Sequence, residues 1–315
     1  MTKGINVGVA GAGVFGGYHA SKFADHPAAS LAGVFDINQS NAQNLANKFS
    51  TKAFSRFADF LAEIDAVIIA VPASDHFELA RQALAAGKHV FIEKPIALDI
   101  ADADELIALA SKHGVVLQTG HQERYVFEAA GMFSRKRAPL KIDSIRCTSA
   151  NGRCEDVSVA LDLMVHDIDL IRHMTKAEIE SVSAEGGAHD MSADIMLTNG
   201  TVVSLKATRR ATSPERRMTL VYDDGVVEFD FIRREISNST PAPLTANFSN
   251  DDTPLAFSDP LKFGANEFVS CICDNRAPHV SGLDGREALK WARHIEGAAG
   301  IAVEYKDEAM ERQRA

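Results

Sequence analysis

Four cysteines in 315 residues are too few and too scattered to staple a fold. Cys147, Cys154, Cys271 and Cys273 do not make the dense framework of a small secreted domain, and neither close pair has a histidine at zinc-type spacing. On a helix Cys271 and Cys273 would point to different faces, so all four read as packing residues or free thiols. Long apolar runs are also missing. The longest, around Ala66 to Val71, is far shorter than the ~20 residues that cross a bilayer. Positive charge is in deficit: the formal net charge is -10, whereas a nucleic acid or an anionic membrane calls for a basic face. There is no internal repeat, no low-complexity tract, and no Lys/Arg-rich leader before Ile5. The expectation is a cytoplasmic protein with neither nucleic acid nor membrane as partner.

What is present suits a globular protein, with 46% hydrophobic and 24% charged residues. The length suits two domains, expected at 1–123 and 124–315, with the last helices free to pack back on the first. The N-terminal stretch Ile5-Asn-Val-Gly-Val-Ala-Gly11-Ala-Gly13-Val-Phe-Gly16 reads as strand, tight turn and helix start. The next strand, Leu31 to Phe35, ends at Asp36, about twenty residues past Gly16, where a dinucleotide fold holds the adenosine ribose. Gly11 allows the turn, Gly13 lets a pyrophosphate approach the backbone, and Gly16 lets helix and strand pack closely. A glycine-rich turn without nucleotide is the alternative. The strand before it, the helix after it and the acid beyond argue against that.

Strand and helix then alternate. Helices are predicted at Asn38 to Phe49, Phe57 to Ala62, Ser74 (as N-cap) to Ala86 and Ile100 to His113. Strands are predicted at Lys52 to Phe54, Ala66 to Val71, His89 to Ile92 and Val115 to Thr119. This order predicts a doubly wound parallel sheet with ligands at the carboxyl ends of its strands. The residues just past those ends include Ala70 to His76, Glu93-Lys94-Pro95 and Gly120 to Arg124. A lysine directly after a buried strand is an unusual choice for a merely solvated position, although alone it reads as a loop charge paired with Glu93.

The segment Gly87-Lys-His-Val-Phe-Ile-Glu-Lys-Pro95, with the glycine turn, Pro72 to His76 and the later Asp162-x-x-x-His166, resembles the glucose-fructose oxidoreductase and inositol dehydrogenase (Gfo/Idh/MocA) family from Ile5 to Gly285. The resemblance implies a Rossmann domain followed by an α+β domain with a large, mainly antiparallel open sheet. That sheet would form a homodimer or homotetramer. It also implies NAD(P)-dependent hydride transfer with a sugar, polyol or related substrate. By position, Gly11, Gly13, Val14, Phe15, Gly16, Asp36, Ala70, Pro72, His76, Glu93, Lys94 and Gln122 would line the cofactor site, with Lys94 between nicotinamide ribose and substrate. Ala73 departs from the asparagine usual after this proline. Asp36, with no arginine in Ile37-Asn38-Gln39, favours NAD over NADP because a carboxylate accepts from a ribose 2′-OH and repels a 2′-phosphate.

In the second half Phe127 to Lys136 reads as a helix and Leu140 to Ser149 as a strand, with Ile142, Ile145 and Cys147 as candidates for burial. Asp156 or Ser158 caps a helix to Met174, on which Asp162 and His166 lie four apart. A carboxylate one turn from an imidazole can orient it as a general base; a plain surface pair is the other reading. The resemblance makes Lys94, Asp162 and His166 the catalytic set. The segment Asp156 to Asp169, with Gly120-His-Gln-Glu-Arg124, looks most like the subgroup of UDP-N-acetylglucosamine 3-dehydrogenases. His166 and His173 raise a metal site, but hydride transfer requires none, and no metal is expected.

Strands follow at Glu178 to His189, Ala193 to Leu197, Thr201 to Arg209, Arg216 to Tyr222 and Val226 to Phe231, turning at Asn199-Gly200 and Asp224-Gly225. They read as a run of antiparallel pairs. Their paired arginines are either charged strand positions that discourage stray pairing, or, for Arg209 with Arg153 and Arg124, ligands for the pyrophosphate of a nucleotide sugar. Residues 237–260 read as a loop, Leu261 to Asp274 as a helix, and Asp284 as the cap of a last helix to Ile301. The expected function is an NAD-dependent oxidoreductase acting on a secondary alcohol of a sugar, polyol or sugar nucleotide, C3 of UDP-N-acetylglucosamine included. The alternatives are an NAD-using glycosidase with no net redox change, and a non-catalytic NAD- and sugar-binding protein.

Overall fold

Short apolar runs too brief for helices, alternating with alanine- and leucine-rich amphipathic segments, dictate strands that are buried on both faces and helices that cover them. The structure is a computed structural model that describes residues 4–149, 156–242, 244 and 253–301. In chain order come β1 (Ile5–Ala10), α1 (Val14–Phe23), β2 (Ala29–Phe35), α2 (Gln39–Lys48), β3 (Lys52–Phe54), α3 (Phe57–Ala62), β4 (Ala66–Ile69), α4 (Ala73–Ala85), β5 (His89–Ile92), α5 (Ile100–His113) and β6 (Leu117–Thr119). Next are α6 (Glu123–Ala129), β7 (Lys141–Cys147), a π-helical turn (Ala160–Met164) running into α7 (Val165–Thr175), β8 (Ile179–Gly186), β9 (Asp190–Leu197) and β10 (Val202–Thr208). The chain continues through β11 (Glu215–Tyr222), β12 (Gly225–Asp230), β13 (Glu235–Asn238), α8 (Leu255–Ser258), α9 (Pro260–Asp274) and α10 (Gly282–Ala298). Two compact units result: residues 4–122 with 259–286, and residues 123–258 with 287–301.

The first unit holds a six-stranded sheet, all parallel, in the order β3-β2-β1-β4-β5-β6. The chain builds outward from β1 to one edge, then returns to the other side at β4, so the strand order reverses at β1/β4. That is where an open α/β sheet leaves a crevice. Val7, Val9, Val67, Ile68, Ile69 and Ile92 are fully buried. Late in the chain, α9 joins the same core: Ala265, Phe268, Val269 and Cys271 pack with Val7, Val9, Ala20, Phe23 and Phe91. The Phe268 ring meets Phe91 edge-on at 5.9 Å.

Local stop and start signals act largely as the residue types predict. The Asn38 side chain caps α2 by accepting from the Ser40 and Asn41 N–H groups, and Gly114, at φ +64°, closes α5. Two caps differ. Pro72, not Ser74, precedes α4, because its fixed φ already suits a helix start. At α10 the Ser281 hydroxyl accepts from the Asp284 N–H while the Asp284 carboxylate accepts from the Ser281 N–H, a reciprocal box in which Ser281 is the cap.

The second unit carries a seven-stranded sheet, β13-β12-β11-β7-β10-β9-β8. It is mainly antiparallel: β8–β9, β9–β10 and β11–β12 pair as the expected run has them, while β7, read apart from that run, lies between β10 and β11 and pairs parallel with β10. A helical stretch lies between those two strands in the chain, and a helical crossover returns the next strand parallel. Period-two burial holds on β9, where Met191, Ala193, Ile195 and Leu197 face inward, and on β11 with Met218, Leu220 and Tyr222. On β7 the inward residues are Ile142, Ser144 and Arg146, so Ile145 lies on the half-exposed face. Ile142 and Ile145 have opposite parity, and one strand face cannot hold both. The helix expected at Phe127 to Lys136 begins earlier, as α6, and β13 and α8 occupy parts of the expected loop at 237–260.

Candidate active site

In the first unit the glycine turn leaves β1 and enters α1 with each glycine under a different constraint. Gly11 stands at φ +99°, and a Cβ there would lie 2.4 Å from the Ala70 carbonyl oxygen. At Gly16 a Cβ would lie 1.7 Å from the Gly11 carbonyl oxygen. At Gly13 it would meet nothing within 4 Å, so the missing side chain leaves open space over the backbone. Gly13 is also the N-cap of α1 and supplies no side-chain acceptor. The first N–H groups of α1 and the positive end of its dipole therefore face that space without a side-chain cap. A cavity of about 600 Å³ opens there, lined by Ala12, Gly13, Val14, Tyr18, Asn41 and Lys48. Val14 and Phe15 are 52% and 45% exposed. Asp36 holds the turn: its carboxylate accepts from the Ala12 N–H at 2.6 Å and the Asn38 N–H at 2.8 Å. These residues fit a dinucleotide: a backbone cradle for a pyrophosphate, with an acid beside it at the end of β2. Asn41 and Lys48 were not singled out in the sequence; their i, i+7 spacing on α2 was the available signal.

Beyond β5 the chain turns through Glu93, Lys94 and Pro95, with the Lys94–Pro95 peptide cis. Glu93 is buried. His19, 1% exposed on α1, donates from Nε2 to Glu93 Oε1 at 2.7 Å, and Gln122 Nε2 donates to the same oxygen at 2.9 Å. Gly120 makes room for it, since a Cβ there would lie 2.6 Å from Glu93 Oε2. Burial works against the Glu93 charge, but His19, Lys94 and Gln122 outweigh it and its pKa is lowered. Lys94 follows at the surface of this network, partly exposed.

His76 differs from its expected place in the cofactor site. It is 1% exposed, with Nδ1 2.7 Å from the Pro95 carbonyl oxygen and Nε2 3.0 Å from that of Val71. Burial pushes its pKa below the usual value, and the ring lies between the two loops that carry those carbonyls. Ala70 and Pro72 lie in the first of those loops.

In the second unit the Ser158 hydroxyl accepts from the Ala160 and Leu161 N–H groups, so Ser158 rather than Asp156 starts the π-helical turn. Asp162 lies in this turn and His166 at the start of α7. Between Leu161 and Leu170 these two alone are not fully buried. Asp162 Oδ2 is 3.5 Å from Arg209 Nη2, which also donates to the Val157 carbonyl oxygen at 2.9 Å. His166 Nδ1 stands 3.9 Å from Glu123 Oε2. Arg124, expected to meet a substrate, is 3% exposed and forks onto Asp169, Nε to Oδ2 at 3.0 Å and Nη2 to Oδ1. A guanidinium so buried against its own carboxylate ties α6 to α7 instead. Arg153 lies outside the described residues. Among the described residues no group of three His, Cys, Asp or Glu is placed to hold a metal ion, and no helix is long and apolar enough to cross a membrane.

A six-stranded parallel sheet in this order, with a glycine cradle and an acid after its second strand, defines the class of dinucleotide-binding oxidoreductases. Residues 5–121 match the oxidoreductase family with an NAD-binding Rossmann fold, and residues 128–228 match the GFO/IDH/MocA C-terminal domain. The chain belongs to the GFO/IDH/MocA family. It is 34% identical to a UDP-N-acetylglucosamine 3-dehydrogenase of Acidithiobacillus ferrooxidans, over 95% of this chain and 97% of that one. A solved structure of the enzyme of that name from the same organism superposes with a TM-score of 0.85 at 32% identity, covering 95% and 99% of the two chains. A myo-inositol 2-dehydrogenase of Thermotoga maritima is 25% identical over 90% of this chain and 93% of its own. The protein is an NAD-binding dehydrogenase of this family.

Proposed function

We propose that the enzyme oxidises or reduces a secondary alcohol carbon of a sugar nucleotide with NAD, and that C3 of UDP-N-acetylglucosamine is the first position to test. The observation that carries the reading is the pair Asp162 and His166, kept accessible in a helical stretch otherwise buried. Two polar side chains withheld from a core at adjacent turns are placed to hold a ligand hydroxyl. The likeness to a UDP-N-acetylglucosamine 3-dehydrogenase over almost the whole chain supports the substrate class.

A bound nicotinamide supplies the hydride acceptor. His166 takes the hydroxyl proton during oxidation, Lys94 stabilises the developing alkoxide by its charge, and Asp162 orients the substrate hydroxyl. Gly11, Gly13 and Gly16 admit the pyrophosphate, and the Asp36 carboxylate accepts from the ribose 2′-OH. NAD rather than NADP is therefore the coenzyme of the proposal, since a 2′-phosphate would face that carboxylate. Arg209, expected to meet a pyrophosphate, is 6% exposed and pairs with Asp162, so in this reading it holds that carboxylate for the substrate. Self-association of the seven-stranded sheet into a dimer or tetramer belongs to the same reading; Met196 and Val226, each more than a third exposed on it, support this.

The test follows NADH absorbance with UDP-N-acetylglucosamine, free sugars and polyols. Turnover is expected with the sugar nucleotide. Lys94→Ala and His166→Ala should each lose roughly 10²–10⁴-fold in kcat, while NAD still raises the melting temperature of both. Near-normal turnover in both variants would remove the assignment.

A further inference from the structure

Near His166 stands a charged group built on Arg146, a residue outside every motif of the sequence. Arg146, on β7, is 1% exposed. Its Nη1 and Nη2 donate to Glu123 Oε1 and Oε2 at 2.8 and 2.6 Å, and its Nε and Nη2 donate to Asp167 Oδ2 and Oδ1 at 3.0 and 2.7 Å. Burial opposes the guanidinium charge, but the carboxylates of Asp167 and Glu123 outweigh it and raise its pKa. Directly across the ladder on β11, Arg216 is the register partner of Arg146, and its Nη1 is 3.9 Å from Glu123 Oε1. Two like charges opposite each other repel unless acids stand against them, and Glu123 touches both. Its carboxylate is thereby fixed in place, with Oε2 3.9 Å from His166 Nδ1.

We propose that Glu123 is the positioning residue for His166, holding its Nδ1 edge so that Nε2 is presented to the substrate hydroxyl. The proposal rests on the reading of His166 as proton acceptor. In that step the hydroxyl O–H bond breaks, its proton goes to Nε2, and the hydride leaves the same carbon for the coenzyme. The ring gains a positive charge, which the carboxylate beside Nδ1 stabilises. Arg146 acts one contact further out, by denying Glu123 any other orientation. The charged groups of this cluster include Glu123 from α6, Arg146 from β7, Asp162 from the π-helical turn, Asp167 from α7, Arg209 just past β10 and Arg216 from β11. Asp162 shares its carboxylate with Arg209, whereas the Glu123 carboxylate lies between Arg146 and the ring.

The test uses Glu123→Gln in the full-length chain with NAD present. Three quantities are read: the pH profile of kcat/KM for oxidation, the NMR titration of the His166 ring, and the melting temperature. Expected are a fall of about 10- to 100-fold in kcat with KM little changed, part of the ~10²–10⁴ that a positioned base contributes. The acid limb of the profile and the His166 titration should both move to lower pH, because the protonated ring has lost its anion. Glu123→Asp should restore part of both shifts. Asp167 still neutralises Arg146, so the fold should survive; should Glu123→Gln not fold, Glu123→Asp carries the same readouts. A limb and a titration left where they are in the unaltered enzyme overturn the proposal, even if kcat falls. The NMR titration needs no substrate, so it separates failure here from failure of the substrate reading: a moved titration with no turnover on any alcohol sinks only the latter.

Discussion

Glu267, on α9, shows how much a single buried carboxylate depends on its neighbours. Arg276 Nη1 and Nη2 donate to its two oxygens at 2.8 and 2.7 Å, and the Cys271 thiol and the His279 N–H each approach Oε1 at 3.3 Å. Arg276 first, against burial, holds the Glu267 carboxyl down at about 2, well below its usual 4.5. A group whose pKa is depressed by folding adds stability above its unfolded value and loses it as pH falls through the folded one. The contribution should be complete above about pH 4.5 and gone near pH 2. Glu267→Gln is therefore expected to cost roughly 2 kcal/mol at pH 7, allowing for solvent at the Arg276 end, and the gap to the unaltered protein should close in urea melts taken towards pH 2. The same contact predicts thiol chemistry. Cys271 is fully buried, and burial, then the Glu267 charge, push its pKa up to about 12. Exposed Cys273 should react with a thiol reagent in the native protein, whereas Cys271 should react only after unfolding. The sequence reading had put both among packing residues or free thiols, and residue types carried that much. The Glu267–Arg276 pair was not legible: nine residues apart, it exists because Asn275, at φ 50°, ends α9 and turns the chain back over its own last turns.

At the scale of elements, the glycine turn offers a contrast between positions that one motif treats alike. Gly16→Ala forces a Cβ to within 1.7 Å of a backbone oxygen, so the turn itself must distort. Both the melting temperature and NADH binding, followed by nicotinamide fluorescence, should fall sharply. Gly13→Ala meets no protein atom within 4 Å. It should melt within a few degrees of the unaltered chain yet bind NADH much more weakly, because its methyl occupies the space left for the pyrophosphate. Equal loss of stability in both variants would contradict this division. Strand, turn, helix and acid were readable in order because each is local and rests on a residue with a fixed physical consequence. β7 was not. Its alternation is visible, and of the burial candidates Ile142, Ile145 and Cys147 only Ile145 stays half-exposed, but nothing along the strand marks Arg146 as buried. The ions that make a buried arginine tolerable, Glu123 and Asp167, come from α6 and α7, which pattern along one strand cannot reveal. Likewise spacing put Asp162 and His166 one turn apart and the family resemblance singled them out, while the π-helical turn that carries Asp162 was not legible, since nothing in the residue types of Ala160–Met164 asks for the wider turn.

For the whole molecule, the consequence lies in the order of the chain. The nucleotide-binding unit is discontinuous: residues 4–122 supply the sheet and residues 259–286 supply α9, with the second unit's strands encoded between them. Gln118 Nε2 donates to the Gly264 carbonyl oxygen at 2.9 Å and the Arg286 guanidinium grips Asp104, so polar contacts as well as the Phe268 face tie the late segment to the early one. Deleting the fully buried Phe268 ring should cost about 3–5 kcal/mol. Because Phe268 shares a core with Val7, Val9 and Phe91, the loss should fall on the sheet that holds the glycine turn. Phe268→Ala is accordingly expected to lower the temperature at which NAD protection is lost, although the residue lies on α9, far along the chain from the glycine turn. A fragment ending at residue 122 should fail for the same reason, since it leaves the apolar faces of Phe23, Phe91 and Val116 without the helix that covers them. Near-UV circular dichroism and NAD-dependent thermal shift of that fragment decide the matter: native-like signals in both would mean that the sheet is stable without α9.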